Sequence, residues 1–279
     1  MEKKQFEQAV CDFILASEGN YVTKEKALRP DLVGMKIFDE PLFGYAAADD
    51  PCFNELKKPE AIGPHFLAPE EWLGDAKTVI SVFLPFTAQT RTANSQNYSW
   101  PAEEWLHSRI DGQAFQGIIC SFIDELLKNE GYANIVPFSD PRYSSKSPVT
   151  KDKNEQIYHT SNWSERHIAF VAGLGTFGLS RGLITSKGIA GRIISVVTTA
   201  IFDPTVRKYT GVYEYCINCG ICAINCPAGA ISKEEGKMHP PCLEFLDAVK
   251  AKHMPYYGCG KCQIKVPCEA KTPNKRNSA

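Results

Sequence analysis

Eight of the chain's eleven cysteines fall between residues 216 and 268, and only Cys11, Cys52 and Cys120 precede them. The densest run reads Cys216-Ile-Asn-Cys219-Gly-Ile-Cys222-Ala-Ile-Asn-Cys226-Pro227. This C-x2-C-x2-C-x3-C-P spacing is that of two-cluster bacterial ferredoxins, in which three thiolates wrap one cubane and the fourth reaches a second. Pro227 suits the turn that swings the fourth thiolate away, because it fixes φ and carries no N–H. Zinc sites do not use this spacing. Eight thiolates are what two [4Fe–4S] clusters require, so Cys242, Cys259, Cys262 and Cys268 are read as the remaining ligands. The crossing rule assigns Cys216, Cys219, Cys222 and Cys268 to one cluster and Cys226, Cys242, Cys259 and Cys262 to the other. The choice between Cys242 and Cys268 stays open on spacing alone. The three early cysteines read as buried apolar filler.

The elements that must position this array come from the preceding residues. Residues 5–18 and 102–130 carry apolar side chains at helical spacing, the second with Gly131 as its stop. Lys77–Phe86 and Gly191–Phe202 are short, apolar and β-branched, as buried strands are. A brief strand is expected over Asn134–Pro137, and a further helix starting near Ser161/Asn162. Residues 27–75 are dominated by turn-forming types. Together these predict an α+β fold: a first domain over 1–210 with a mixed sheet and helices, then a ferredoxin-like domain over 211–279. The chain is 43% hydrophobic and 23% charged with a formal net charge of -1, within the globular range and without an electrostatic case for nucleic acid. No apolar run is long enough to span a membrane. The N-terminus lacks a signal-peptide core, so a cytoplasmic location is expected. Disulfides are then unexpected.

Gly173-Leu174-Gly175-Thr176-Phe177-Gly178 matches G-x-G-x-x-G. A dinucleotide fingerprint follows a strand and precedes an acidic ribose ligand by about 20 residues. Here the preceding residues read as helix, and the first acid afterwards is Asp203. The glycines instead suggest a close approach of backbone to a bulky ligand or to a neighbouring element, or a plain helix-to-strand turn.

The order of parts resembles the epoxyqueuosine reductase family and, more distantly, the reductive dehalogenases. The resemblance spans about residues 70–268 and is carried by KTVISVFLPF, the Ser164-Glu165-Arg166 triplet, Ala172-Gly173-Leu174-Gly175-Thr176-Phe177-Gly178, GRIISVVTT and the cysteine order. It implies a nitroreductase-like domain that holds cobalamin, with Gly173, Leu174, Gly175, Thr176, Phe177 and Gly178 along the corrin and the clusters feeding electrons to the cobalt. The tRNA-modifying members carry an Asp-Thr pair 13 residues before the AGLG segment, the Asp serving as proton donor. This sequence has His159-Thr160 there, which makes His159 the candidate catalytic residue. Those members also continue into helical repeats that hold tRNA, so a sequence ending at Ala279 is expected not to bind tRNA stably.

Two functions from different classes follow. One is a cobalamin-dependent reductase of a small molecule or modified nucleoside, served by an external low-potential electron donor. The other is an electron-transfer or activator protein that reduces a partner's cofactor. About 200 residues ahead of the clusters favour the enzyme, since a carrier needs only the last 60 or so. A flavin reductase would also suit a nitroreductase-like fold.

Overall fold

The computed structural model describes residues 1–146 and 160–274. Its centre is one sheet of four strands: β1 (Leu42–Ala47), β2 (Thr78–Pro85), β3 (Asn134–Ile135) and β4 (Gly191–Thr198). Their order is β1-β2-β4-β3. Every pairing in it is antiparallel, which corrects the expected mixed sheet. Continuous apolar runs usually mark parallel strands buried on both faces. Here all eight residues of β2 are buried because helices cover both faces of an antiparallel sheet, and an apolar run does not record strand direction.

The alternation of a strand sorts its side chains between those faces. Ile80, Val82 and Leu84 join Ile194 and Val196 in the main core, which also takes Phe6, Val10 and Ile14 of α1 (Lys3–Ala16) and Phe115, Ile119 and Ile123 of α3 (Glu103–Asn129). The intervening α2 (Ala88–Ser95) is capped by Thr87, whose hydroxyl accepts the Thr90 N–H. On the opposite face, Val79 and Val197 meet Trp163 and, from α4 (Glu165–Val171), Ile168 and Val171. Acidic Glu103 and Glu104 open α3 and Lys128 closes it, each placed to complement the helix dipole. Gly131 follows at φ 82°, the left-handed stop that its position predicts. The α4 helix begins at Glu165, later than expected. Asn162 is held before it, accepting the Ser144 N–H at 2.9 Å and donating to the Arg142 carbonyl at 2.8 Å.

Residues 211–274 are woven into this core. Ile264 is fully buried within the main core cluster. The N–H of Ile189 donates to the Cys268 carbonyl at 2.9 Å. A last helix, α5 (His239–His253), lies between the two halves of the cysteine array. Among the described residues no helix is long and apolar enough to cross a membrane.

Asn20 shows how the helices are tied together. It is fully buried, donates to the carbonyls of Ile14 and Phe38 at 3.0 Å each, and accepts the Phe38 N–H at 2.8 Å. Asn20→Ala orphans buried backbone groups, so a loss of about 2–3 kcal/mol is expected in urea unfolding. An unchanged midpoint and slope would contradict the clamp.

Candidate iron–sulfur and cofactor site

The first cysteine loop is wound by two residues in left-handed conformation, Asn218 at φ 50° and Gly220 at φ 77°. Asn and Gly are the residue types that enter that region readily. A single helical turn, Ile221–Ile224, then carries the chain to Cys226, whose Sγ accepts the Ala230 N–H at 3.3 Å. Cys216, Cys219, Cys222 and Cys268 line one cavity of about 370 Å³, counting its open mouth, with Ile184, Ile189 and Val266 in its apolar wall. Burial pushes the Cys268 thiol up to about 12, and Cys216, Cys222 and Cys219 raise it further. The Cys259 thiol is likewise pushed up to about 12, first by burial, with the charges of Cys262, Cys242 and Cys226 adding to it. Burial raises Cys262 as well, and of the neighbouring thiols it is Cys242 and Cys226 that act on it. Cys268 thus has Cys216, Cys219 and Cys222 as its thiol neighbours, and Cys259 has Cys226, Cys242 and Cys262. Cys222 lies between the two groups, raised by burial and then by Cys262 ahead of Cys219 and Cys216. Among the described residues no three His, Cys, Asp or Glu side chains close in as a single metal ion needs. The thiols surround a space instead of a point.

The second cysteine loop is pressed against α3. Gly260 has φ 65°, and a Cβ there would lie 1.9 Å from Cε2 and Cζ2 of Trp105. Next to it Lys261 is fully buried. Its ammonium donates to the Asn94 carbonyl at 2.5 Å, to Asn94 Oδ1 at 3.0 Å and to the Asn97 carbonyl at 2.5 Å. Burial lowers its pKa to about 8 and the Cys259 thiol opposes that shift.

Beside Cys262 the structure gathers charged groups that the sequence reading left out, apart from the Ser164-Glu165-Arg166 triplet. Arg166, from α4, has exposed surface, yet burial is the main influence lowering its pKa, and Cys262 acts in the opposite sense. Arg166 thus stands within electrostatic reach of the second cysteine loop. Arg192, at the start of β4, is held down at about 9 by burial and then by Arg109, with Tyr257, Arg166 and Glu165 also within electrostatic reach. Arg192 donates to Gln113 and Gln116, and Arg109 donates to Gln113 and to the Tyr257 hydroxyl. None of the ion pairs among the described residues uses Arg109, Arg166 or Arg192. Burial pushes the Glu165 carboxyl up to about 7, against a 2.6 Å hydrogen bond from Ser195 Oγ. Ser195 in turn accepts the Trp163 indole N–H at 2.9 Å. His167 is held down at about 4 by burial and then by Arg166, and bonds Ser164 Oγ at 2.8 Å.

The glycine motif takes a different form from an open loop. Gly173 turns the chain at φ 84° after α4. Gly175–Phe177 then pairs with Leu183–Thr185 as a hairpin, and Leu174, Gly175, Thr176, Phe177 and Gly178 are all buried. A Cβ on Gly175 would lie 1.9 Å from the Ile184 carbonyl oxygen, so the close approach that requires this glycine is to the neighbouring strand. His159 lies outside the described residues. Its neighbour Thr160 hydrogen-bonds the exposed His65 ring at 2.6 Å, a partner without any signal in the sequence spacing.

Residues 209–232 match the model of the 4Fe-4S binding domain. A trichloroethene reductive dehalogenase of Dehalococcoides mccartyi is 34% identical over 130 residues, which is 37% of this chain and 23% of that protein. The matched part is thus about a quarter of the dehalogenase. Among solved structures, an epoxyqueuosine reductase with an epoxyqueuosine-modified tRNA stem loop superposes with a TM-score of 0.51 at 16% identity, over 98% of this chain and 70% of that one. A catabolic reductive dehalogenase superposes with a TM-score of 0.50 at 15% identity, over 83% of this chain and 30% of that one. The chain thus carries a 4Fe-4S binding domain, is similar in part of its sequence to a reductive dehalogenase, and shares its fold with an epoxyqueuosine reductase and a reductive dehalogenase.

Proposed function

We propose that the chain is a reductase that holds two [4Fe–4S] clusters, one on Cys216, Cys219, Cys222 and Cys268 and one on Cys226, Cys242, Cys259 and Cys262. They pass low-potential electrons from an external donor to a cobalamin, for reduction of a small molecule or modified nucleoside. What supports this reading is that Cys216, Cys219, Cys222 and Cys268 line one cavity, while Cys226, Cys242 and Cys262 are the thiols that act on Cys259, with Arg166 in electrostatic reach of Cys262. Cobalamin presents amide carbonyls around its rim and one phosphodiester, which the donors of Arg109, Arg166, Arg192 and Tyr257 would suit in chemistry, with the Glu165 carboxyl in electrostatic reach of Arg192. Bound there, cobalamin would supply a strongly reducing, nucleophilic metal centre. The Gly173–Gly178 segment remains a proposed wall of that site by family resemblance, its glycines being needed by the hairpin in any case.

The chain's own groups would then orient the ligand, keep water out and hold a proton. Glu165, pushed up to about 7 by burial, is about half protonated at neutral pH, in the range a general acid uses. Ser195 donates to its Oε2. His159 stays the proposed donor by family position. The rival electron-transfer reading requires no cobalamin.

Anaerobic reconstitution separates these readings. About eight iron and eight sulfide per chain are expected for two cubanes. Added cobalamin should bind at micromolar concentration with a change in its visible bands. Iron near eight without cobalamin binding would transfer the argument to the electron-transfer protein, and about one zinc with no sulfide would end both.

A further inference from the structure

We propose that Lys261 is a fixed positive charge whose counter-charge is the cluster on Cys226, Cys242, Cys259 and Cys262, and that it makes this cluster the easier of the two to reduce. The inference rests on the two-cluster reading above.

The charge follows from geometry. Lys261 is fully buried, and its Nζ has three oxygen acceptors: the Asn94 carbonyl, Asn94 Oδ1 and the Asn97 carbonyl. An ammonium has three N–H groups to give, and a neutral amine has two. All three acceptors are uncharged, and none of the described ion pairs includes Lys261. A buried charge without a counter-charge is costly. The anionic groups nearest in sequence are the thiolates of Cys259 and Cys262, which flank it on either side.

The placement is also selective. Reducing a cubane adds one electron, so a nearby fixed cation favours the reduced form, and low local dielectric strengthens that effect. Two further cations act on Cys262: Lys237, which lowers its pKa, and Arg166. Around the first quartet Cys219 is exposed, and Lys233, which covers Gly220, is itself exposed. Solvent and salt screen that charge, whereas Lys261 is sealed. The asymmetry would rest the electron on the cluster of the second cysteine loop. The buried ammonium also stitches the second cysteine loop to the Asn94–Asn97 turn, but stitching alone would not change a potential.

The test is an EPR-monitored dithionite titration of the full reconstituted chain. Wild type should carry about eight irons and show two reduction steps. In Lys261→Met with unchanged iron, one midpoint should become more negative by at least tenfold in the reduction equilibrium, about 59 mV for one electron, while the other stays. Lys261→Arg should restore it. If Lys261→Met does not hold its iron, Asn94→Asp, which neutralises the ammonium with a carboxylate, should shift the same step in the same direction. Full iron with both midpoints unmoved overturns the proposal. Wild type with only about four irons overturns the two-cluster reading itself.

Discussion

Cys268→Ala should leave about four of about eight irons, and the irons it removes should be those also lost in Cys219→Ala. The two positions are 49 residues apart by their numbers, yet both line the same cavity. Cys226→Ala, only seven residues after Cys219, should remove the other four, as should Cys242→Ala. Alanine is the informative replacement because it offers iron no atom, whereas a serine oxygen can remain as a weak ligand. The structure gives each side of this prediction a separate footing. Cys268 is raised by Cys216, Cys222 and Cys219, and Cys259 by Cys262, Cys242 and Cys226. EPR of the half-loaded variants should show one pattern shared by Cys219→Ala and Cys268→Ala and a second shared by Cys226→Ala and Cys242→Ala. A common pattern for Cys226→Ala and Cys268→Ala would mean that the ligand sets are wrongly drawn.

The first cysteine loop was legible in the sequence because a cluster-binding loop is a local chelate with a fixed spacing, and residues 209–232 match the 4Fe-4S binding domain. The apolar runs at Thr78–Pro85 and Gly191–Thr198 were legible for a similar reason, being short stretches whose content alone demands burial. Other features were not local. β1 was lost among turn-forming residues because it carries Gly44, where a Cβ would meet the Ala172 carbonyl at 2.5 Å. That glycine records the packing of a helix 128 residues away by its numbers, and nothing in its own neighbourhood announces a strand. The arginine group around Arg192 is assembled from α3, α4, the start of β4 and the loop at Tyr257, one or two residues from each. Such a set has no spacing to detect. The glycine motif left two readings open, a bulky ligand or a neighbouring element, and for Gly175 the close approach is to the hairpin partner at Ile184.

Gly260→Ala should be the most damaging single-atom change in the cluster region. Two costs add. Gly260 sits at φ 65°, where an L-residue is disfavoured by about 1–2 kcal/mol. The new methyl would also lie 1.9 Å from the Trp105 ring, and that ring cannot yield cheaply. Trp105 is 3% exposed and packs edge-on against Phe86 at 5.0 Å. Either α3 or the second cysteine loop must shift, and the loop carries Cys259 and Cys262. Reconstituted Gly260→Ala should therefore lose the iron that Cys226→Ala loses, keep the rest, and unfold at lower urea concentration by at least about 3 kcal/mol of stability, the size of an overpacked and strained buried site. Trp105→Leu separates the two costs. Alone it opens a cavity and destabilises by about 2–4 kcal/mol. Combined with Gly260→Ala it removes the clash and fills part of its own cavity, so the double variant should be more stable than the sum of the singles by more than 1 kcal/mol, beyond the scatter of additive pairs. Strict additivity would place Gly260 away from Trp105. The coupling of the second cysteine loop to the first core would then rest on the hydrogen bonds of Lys261 and the Cys259 carbonyl to the Asn94–Asn97 turn, on Ile264 and on the Ile189–Cys268 backbone contact.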